Sequence, residues 1–205
     1  MLKVYGRNNS VNVQKVMWVI GELGLASERL DVGGAFGQND QDWYLAMNPM
    51  GRVPVLDDDG YILWESHSII RYLAQKHDSD LYTGDAQARG DMDKWLDWQI
   101  GFMQPAITPV FWGLIRTAEA DRDMAAIQAA SLETAKLIGI LNDHLQGRDF
   151  MAGGQFSIAD VPVGAMTYRW YGLEVEHPYY PNLRAWYERL TQRPAYQEHV
   201  MLPIT

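Results

Sequence analysis

The sequence predicts a two-part chain: a small α/β layer followed by an all-helical bundle. Three observations carry this reading. Residues 1–77 alternate short apolar runs with amphipathic helical stretches, residues 78–86 (DSDLYTGDA) form a polar linker, and after them strand-like alternation stops. The expected domains are residues 1–78 and residues 87–205.

In the first part, Leu2–Tyr5 reads as a strand. Val13, Val16, Met17, Ile20 and Leu23 recur at helical spacing, and Gly24 is placed to end that helix. Glu28–Val32 is a second strand, and Gly33, Gly34 and Gly37 mark a loop. A short helical turn is expected over residues 42–47. Val53–Leu56 and Tyr61–Trp64 form a hairpin around the turn signal DDDG. Ile69, Ile70, Tyr72 and Leu73 belong to a closing helix. In the second part, residues 87–115 are helical, with Pro105 and Pro109 expected to kink or break the rod. Ile127, Ser131, Thr134, Ile138, Leu141 and Leu145 alternate three- and four-residue steps over a long helix that Gly147 stops. A further helix starts at Ser157, and another covers residues 183–190, with Pro194 just beyond.

Composition narrows the function. The 205 residues are 47% hydrophobic, ample for a packed core. A net charge of −9 without a basic stripe argues against nucleic-acid binding. No apolar run of bilayer-spanning length is expected, and the N-terminus MLKVYGRNN lacks a signal-peptide core, so the expected address is cytoplasmic, away from membranes. The chain has no cysteine, which removes disulfides, thiolate metal sites and a CxxC redox pair. Any sulfur chemistry must take its sulfur from the ligand. The five histidines show no metal-ligand spacing, so each reads as a surface or cap residue and no metal is expected.

Three stretches carry candidate chemistry. RNNSVNVQKV, residues 7–16, sets Asn8, Asn9, Ser10 and Asn12 where a strand hands over to a helix. One such residue suffices for capping. The cluster therefore reads either as ordinary capping or as a cradle for an anion at a helix N-terminus. In NPMGRVPVL, residues 48–56, Pro54 opens a strand, although Pro donates no ladder bond. The Val53–Pro54 bond is either cis at a tight corner or trans at an edge. The cis corner leaves the N–H and C=O of Val53 facing outward, where an extended peptide docks by strand-like pairing. In WESHSIIRYL, residues 64–73, Ser66 is either a plain helix cap or, with Glu65, a holder for the carboxylate and ammonium of an amino acid. FSIADVPVG, residues 156–164, pairs Ser157 and Asp160 as a structural capping box.

In this order, the Ser10 turn, NPxGxVPxL, Glu65-Ser66, the SIAD box and the ending PNLRAWYERLTQRPAY resemble the glutathione transferase superfamily over nearly the whole chain. The resemblance implies a thioredoxin-like N-terminal domain, a helical C-terminal domain and a homodimer. It implies glutathione as co-substrate, no permanently bound cofactor, and a small electrophile as the other reactant. On it, Val53 beside cis-Pro54 pairs with the cysteinyl unit, Glu65 and Ser66 hold the γ-glutamyl end, and Arg52 and Asn39 lie near the glycyl carboxylate. Relatives activate the thiol with Tyr, Ser or Cys after the first strand. Cys is absent here, Tyr5 lies in the strand with its ring free to point either way, and Ser10 matches the serine of theta-like members. Asn12 matches the asparagine of nu-like ones. Met103, Phe111, Trp112 and Arg116 would wall the second substrate. A helical stretch of aromatic and Met residues is more often core.

The energetics of activation close. Lowering a thiol from ~8.5 by ~2 units takes about 2.7 kcal/mol. One charge-assisted hydrogen bond supplies roughly 1.5–3 kcal/mol, and a helix N-terminus adds about 0.3–1 kcal/mol. Conjugation by such a thiolate is the leading expectation. Glutathione-dependent disulfide or peroxide reduction is the alternative enzyme, and a non-catalytic transferase-like interaction module the alternative of another class.

Overall fold

The computed structural model describes residues 1–82 and 84–205. The chain divides into two compact units, Met1–Thr83 with Pro194–Leu202, and Gly84–Arg193 with Pro203–Thr205.

The first unit is built on a four-stranded sheet of β1 (Leu2–Tyr5), β2 (Ser27–Leu30), β3 (Val55–Asp58) and β4 (Tyr61–Trp64) in the order β2-β1-β3-β4. β1 and β2 are parallel, so a crossover must join them, and α1 (Val11–Glu22) supplies it. The other pairs are antiparallel. Strand alternation sends Val4 and Tyr5 to opposite faces. Tyr5 packs against Val32, Tyr44 and Val55, with Tyr44 coming from α2 (Asp42–Leu45). This settles the direction of the Tyr5 ring, whose centroid lies 6.0 Å from that of Trp43. α1 and α3 (Ser66–Lys76) pack on one another.

The β3 ladder starts at Val55, two residues later than the sequence pattern places it, and runs on to Asp58. Asp58 pairs with Tyr61 across a two-residue turn in which Asp59 and Gly60 both have positive φ, the geometry that matches strand twist. Val53 and Pro54 are thereby left outside the ladder.

The last helix, α9 (Pro194–His199), falls into the first unit, although residues 194–202 lie within the stretch expected as the second domain. The reason is the outer face of α1. Trp18 and Tyr196 meet edge-on at 4.6 Å, both fully buried. Gly21 leaves just enough room for α9, since a Cβ there would sit 2.9 Å from Ala195.

The second unit is helical: α4 (Ala86–Trp98), α5 (Gln104–Phe111), α6 (Met124–His144), α7 (Asp160–Tyr171) and α8 (Pro181–Thr191). Asp85 caps α4 and Asp123 caps α6. Pro105 and Pro109 do not break the rod. π-helical turns at Gln99–Met103 and Trp112–Arg116 flank α5, and the wider turn absorbs backbone groups that proline cannot satisfy. α6 has 21 residues and is long and apolar enough to cross a membrane by length and composition, against the expectation of no such run. It packs on α5 and α8 through Ile127, Thr134, Ile138 and Leu141. α7 begins at Asp160, whose backbone N–H donates to the Ser157 carbonyl at 3.0 Å, while the Ser157 N–H donates to the Asp160 carboxylate at 2.9 Å.

Candidate functional site

Three chain reversals of the first unit converge. The first joins β1 to α1. The Gly6 and Arg7 N–H groups donate to the Leu30 and Val32 carbonyls at 2.8 and 3.0 Å, extending the β1–β2 pairing into the loop. The Ser10 N–H then turns back to the Arg7 carbonyl at 3.2 Å. Ser10 is the N-cap of α1 by backbone geometry, yet its hydroxyl makes no capping bond. The Ser10 hydroxyl is therefore not spent on capping. Asn12 lies within the first turn and is half-buried; its Oδ1 accepts from Lys15 Nζ at 3.1 Å.

The second reversal is the Asn48–Val53 loop. Buried Asn48 organises it: its Oδ1 accepts from the Met50 N–H at 3.0 Å and its Nδ2 donates to the Arg52 carbonyl at 2.8 Å. The Tyr44 hydroxyl donates to the same carbonyl at 2.7 Å. Gly51 has φ +60, and a Cβ there would stand 2.9 Å from the Asn39 carbonyl oxygen. Asn39 fastens the loop from the other side, with Nδ2 donating to the Gly51 carbonyl at 2.9 Å. One amide N–H of Asn39 is therefore structural and one is left over. Arg52 is exposed. The Val53–Pro54 bond is cis. Among the described residues, neither backbone group of Val53 takes part in a strand ladder or another backbone hydrogen bond.

The third reversal joins β4 to α3. Glu65, exposed, has φ +72, a conformation that L side chains rarely adopt. It is the N-cap of α3 and its carboxylate makes no cap bond. Ser66, expected as a possible cap, is instead the first helical residue and is 3% exposed.

Pairing geometry brings these together. Val55 lies opposite Trp64 in the β3–β4 ladder, so the segment before Val55 and the segment after Trp64 leave the same end of the sheet. Gly6 lies against Val53: a Cβ on Gly6 would be 3.2 Å from the Val53 Cβ. Lys15 of α1 reaches His67 of α3 at 3.1 Å, tying the two helix starts. The open Val53 peptide thus lies at the end of the sheet from which α1 and α3 both start, and a helix N-terminus carries unspent N–H groups and a positive dipole end.

The four second-unit positions differ among themselves. Met103 and Phe111 are buried, and the Phe111 ring is covered by the guanidinium groups of Arg169 at 4.2 Å and Arg116 at 5.6 Å. Trp112 is exposed, and Arg116 donates to the Thr205 carbonyl at 2.7 Å. Among the described residues, no group of three or more His, Asp or Glu is placed to hold a metal.

The reading of every histidine as a surface or cap residue is corrected at His67, which is buried against Lys15. Lys15 itself is fully buried, and sequence reasoning passed over it. The available signal was spacing: Asn12 and Lys15 stand three apart on one helix face, and Lys15 follows Gln14 directly before the apolar run VMWVI.

Comparison with known proteins agrees with this architecture. Residues 4–81 match the glutathione S-transferase N-terminal domain model and residues 102–194 the C-terminal domain model. The chain is 38% identical to glutathione S-transferase GstB of Escherichia coli (strain K12), covering all of both chains. It is 32% identical to glutathione S-transferase 3 of Zea mays, over 97% of this chain and 93% of that one. The solved theta-class glutathione S-transferase of Xanthomonas axonopodis pv. citri with glutathione bound superposes with a TM-score of 0.97 at 41% identity, covering 100% of this chain and 99% of that one. The chain belongs to the glutathione S-transferase family.

Proposed function

We propose that the protein is a glutathione S-transferase that conjugates the glutathione thiolate to small electrophiles. The observation that carries this is the open Val53 peptide group set between the Ser10 turn and the start of α3. A cysteinyl residue pairs with Val53 as an added strand does. The γ-glutamyl carboxylate takes the Ser66 hydroxyl and helix N–H groups, Glu65 takes its ammonium, and Arg52 with the remaining Asn39 N–H faces the glycyl carboxylate. The sulfur then lies at the start of α1. Ser10 donates its hydroxyl, and Asn12 its amide, to the thiolate; the thiol proton leaves to solvent. The thiolate attacks the electrophile, forming a carbon–sulfur bond and expelling the leaving group with its electron pair. Of the four residues expected around the electrophile, Trp112 and Arg116 are exposed, which supports that role for them.

A second reading, glutathione-dependent reduction of a disulfide or peroxide, is favoured by one observation: the Asn12 amide is fixed through Lys15. The protein acts as a homodimer in the cytoplasm, the compartment in which glutathione stays reduced, and removal of reactive electrophiles is its role there. Titration with glutathione while following ultraviolet thiolate absorbance tests the binding reading. A panel of chloronitrobenzenes, isothiocyanates, hydroperoxides and mixed disulfides then separates conjugation from reduction. Absence of both binding and thiolate would end the proposal. In that titration, Ser10→Ala is expected to raise the apparent pKa of the bound thiol by about one, and Asn12→Ala by less.

A further inference from the structure

A fully buried lysine between two helix starts is costly unless something specific holds it there. Lys15 Nζ lies 3.1 Å from Asn12 Oδ1 and 3.1 Å from His67 Nε2. An ammonium carries three donors and no acceptor. Both contacts therefore run outward from Lys15, and each fixes its partner. The Asn12 amide must turn its oxygen to Lys15, which turns its NH2 group the other way. The His67 ring must accept at Nε2, which places its ring proton on Nδ1. An Asn side chain left alone has two amide orientations of similar energy, one of which would present a carbonyl oxygen, and repulsion, to a thiolate.

From this geometry we infer that Lys15 is a positioning residue for thiol activation: it locks the Asn12 amide so that the NH2, rather than the carbonyl, faces the ligand's sulfur. The same contact couples the sulfur end of the site to the γ-glutamyl end, because His67 directly follows Ser66 on α3. The inference rests on the glutathione reading above. It makes Lys15, which need not touch the ligand, a determinant of the thiol pKa.

The test compares Lys15→Met, Lys15→Gln and Asn12→Ala by the absorbance titration of bound glutathione. Lys15→Met keeps the length of the side chain and replaces a buried charge by an apolar group, a change that folds tolerate. It is expected to raise the apparent pKa of the bound thiol by as much as Asn12→Ala does, and so to lower turnover by the matching factor at a pH below that pKa, with little change in glutathione KM. Lys15→Gln retains an N–H donor for Asn12 and is expected to recover most of the wild-type pKa. In an Asn12→Ala background, Lys15→Met should add no further shift. A wild-type thiol pKa in Lys15→Met overturns the inference, as does a Lys15→Met shift that persists undiminished in the Asn12→Ala background. If Lys15→Met fails to fold, Lys15→Gln decides: a shift as large as that of Asn12→Ala overturns the inference, and a smaller one supports it. Failure of the wild-type protein itself to bind glutathione would overturn the functional reading and this inference with it, and is recognised because no variant is needed to see it.

Discussion

The indole N–H of Trp186 donates to the carboxylate of Asp160 at 2.8 Å, joining α8 to the start of α7 across 26 residues, with both side chains fully buried. The same carboxylate accepts from the backbone N–H of Met151 at 2.8 Å and of Ser157 at 2.9 Å. Asp160 thus gathers three segments of the helical unit around one buried group. Complete burial outweighs these donors and pushes its carboxyl up to about 6.

The raised pKa predicts a pH dependence of stability. Unfolded, an Asp titrates near 3.9, so between about pH 4 and pH 6 the folded chain holds a proton that the unfolded chain releases. The stability from this group is fully present below the unfolded pKa and is lost as pH rises through 6, a fall on the order of 2–3 kcal/mol. Urea unfolding at a series of pH values should show the decline, and Asp160→Asn should lack it. An equal decline in Asp160→Asn would assign it to other groups.

Ser66→Ala is expected to weaken glutathione binding roughly 10- to 100-fold, the loss of one charge-assisted hydrogen bond of about 1.5–3 kcal/mol. Because Glu65, not Ser66, is the N-cap of α3, the melting temperature should scarcely move. Titration calorimetry beside thermal unfolding checks both. A lowered melting temperature with unchanged affinity would leave Ser66 a purely structural part.

Glu65 stands at φ +72 and ψ +113, a conformation that costs an L residue about 1–3 kcal/mol. Glycine adopts it without steric cost. Glu65→Gly should therefore hold or raise thermal stability while lowering glutathione affinity, since the carboxylate proposed to take the ligand's ammonium is gone. A variant that is both less stable and equally tight in binding would contradict the assignment.

Tyr61, Trp64, Phe36, Trp43 and Met50 are large apolar side chains exposed on the first unit. Burying some of them in a self-association interface fits the proposed homodimer. Light scattering at micromolar concentration should give about twice the 23.4 kDa of one chain. A mass near that of a single chain would count against it.

Periodicity alone fixed much of this protein. Strand alternation in Leu2–Tyr5, the short apolar run Tyr61–Trp64, the helical stripes of α1 and α6, and the DDDG turn are local signals, because each depends on residues within a few positions of one another. The order of motifs likewise announced the family. What the sequence left open was every choice made by contacts distant along the chain. Alternation could not say which face of the sheet Tyr5 joins; Tyr44 and Val55 decide it. No local rule assigns α9 to the first unit; the outer face of α1 does, through Trp18 and Tyr196. Proline chemistry predicted a kink or a break, and could not say that π turns on either side of Pro105 and Pro109 would keep the helical run continuous. Lys15 and His67, 52 residues apart, carried no joint signal until α1 and α3 packed and set their nitrogens 3.1 Å apart. A hydrogen-bonded pair is a relation in space, and only the tertiary structure brings its two ends within reach.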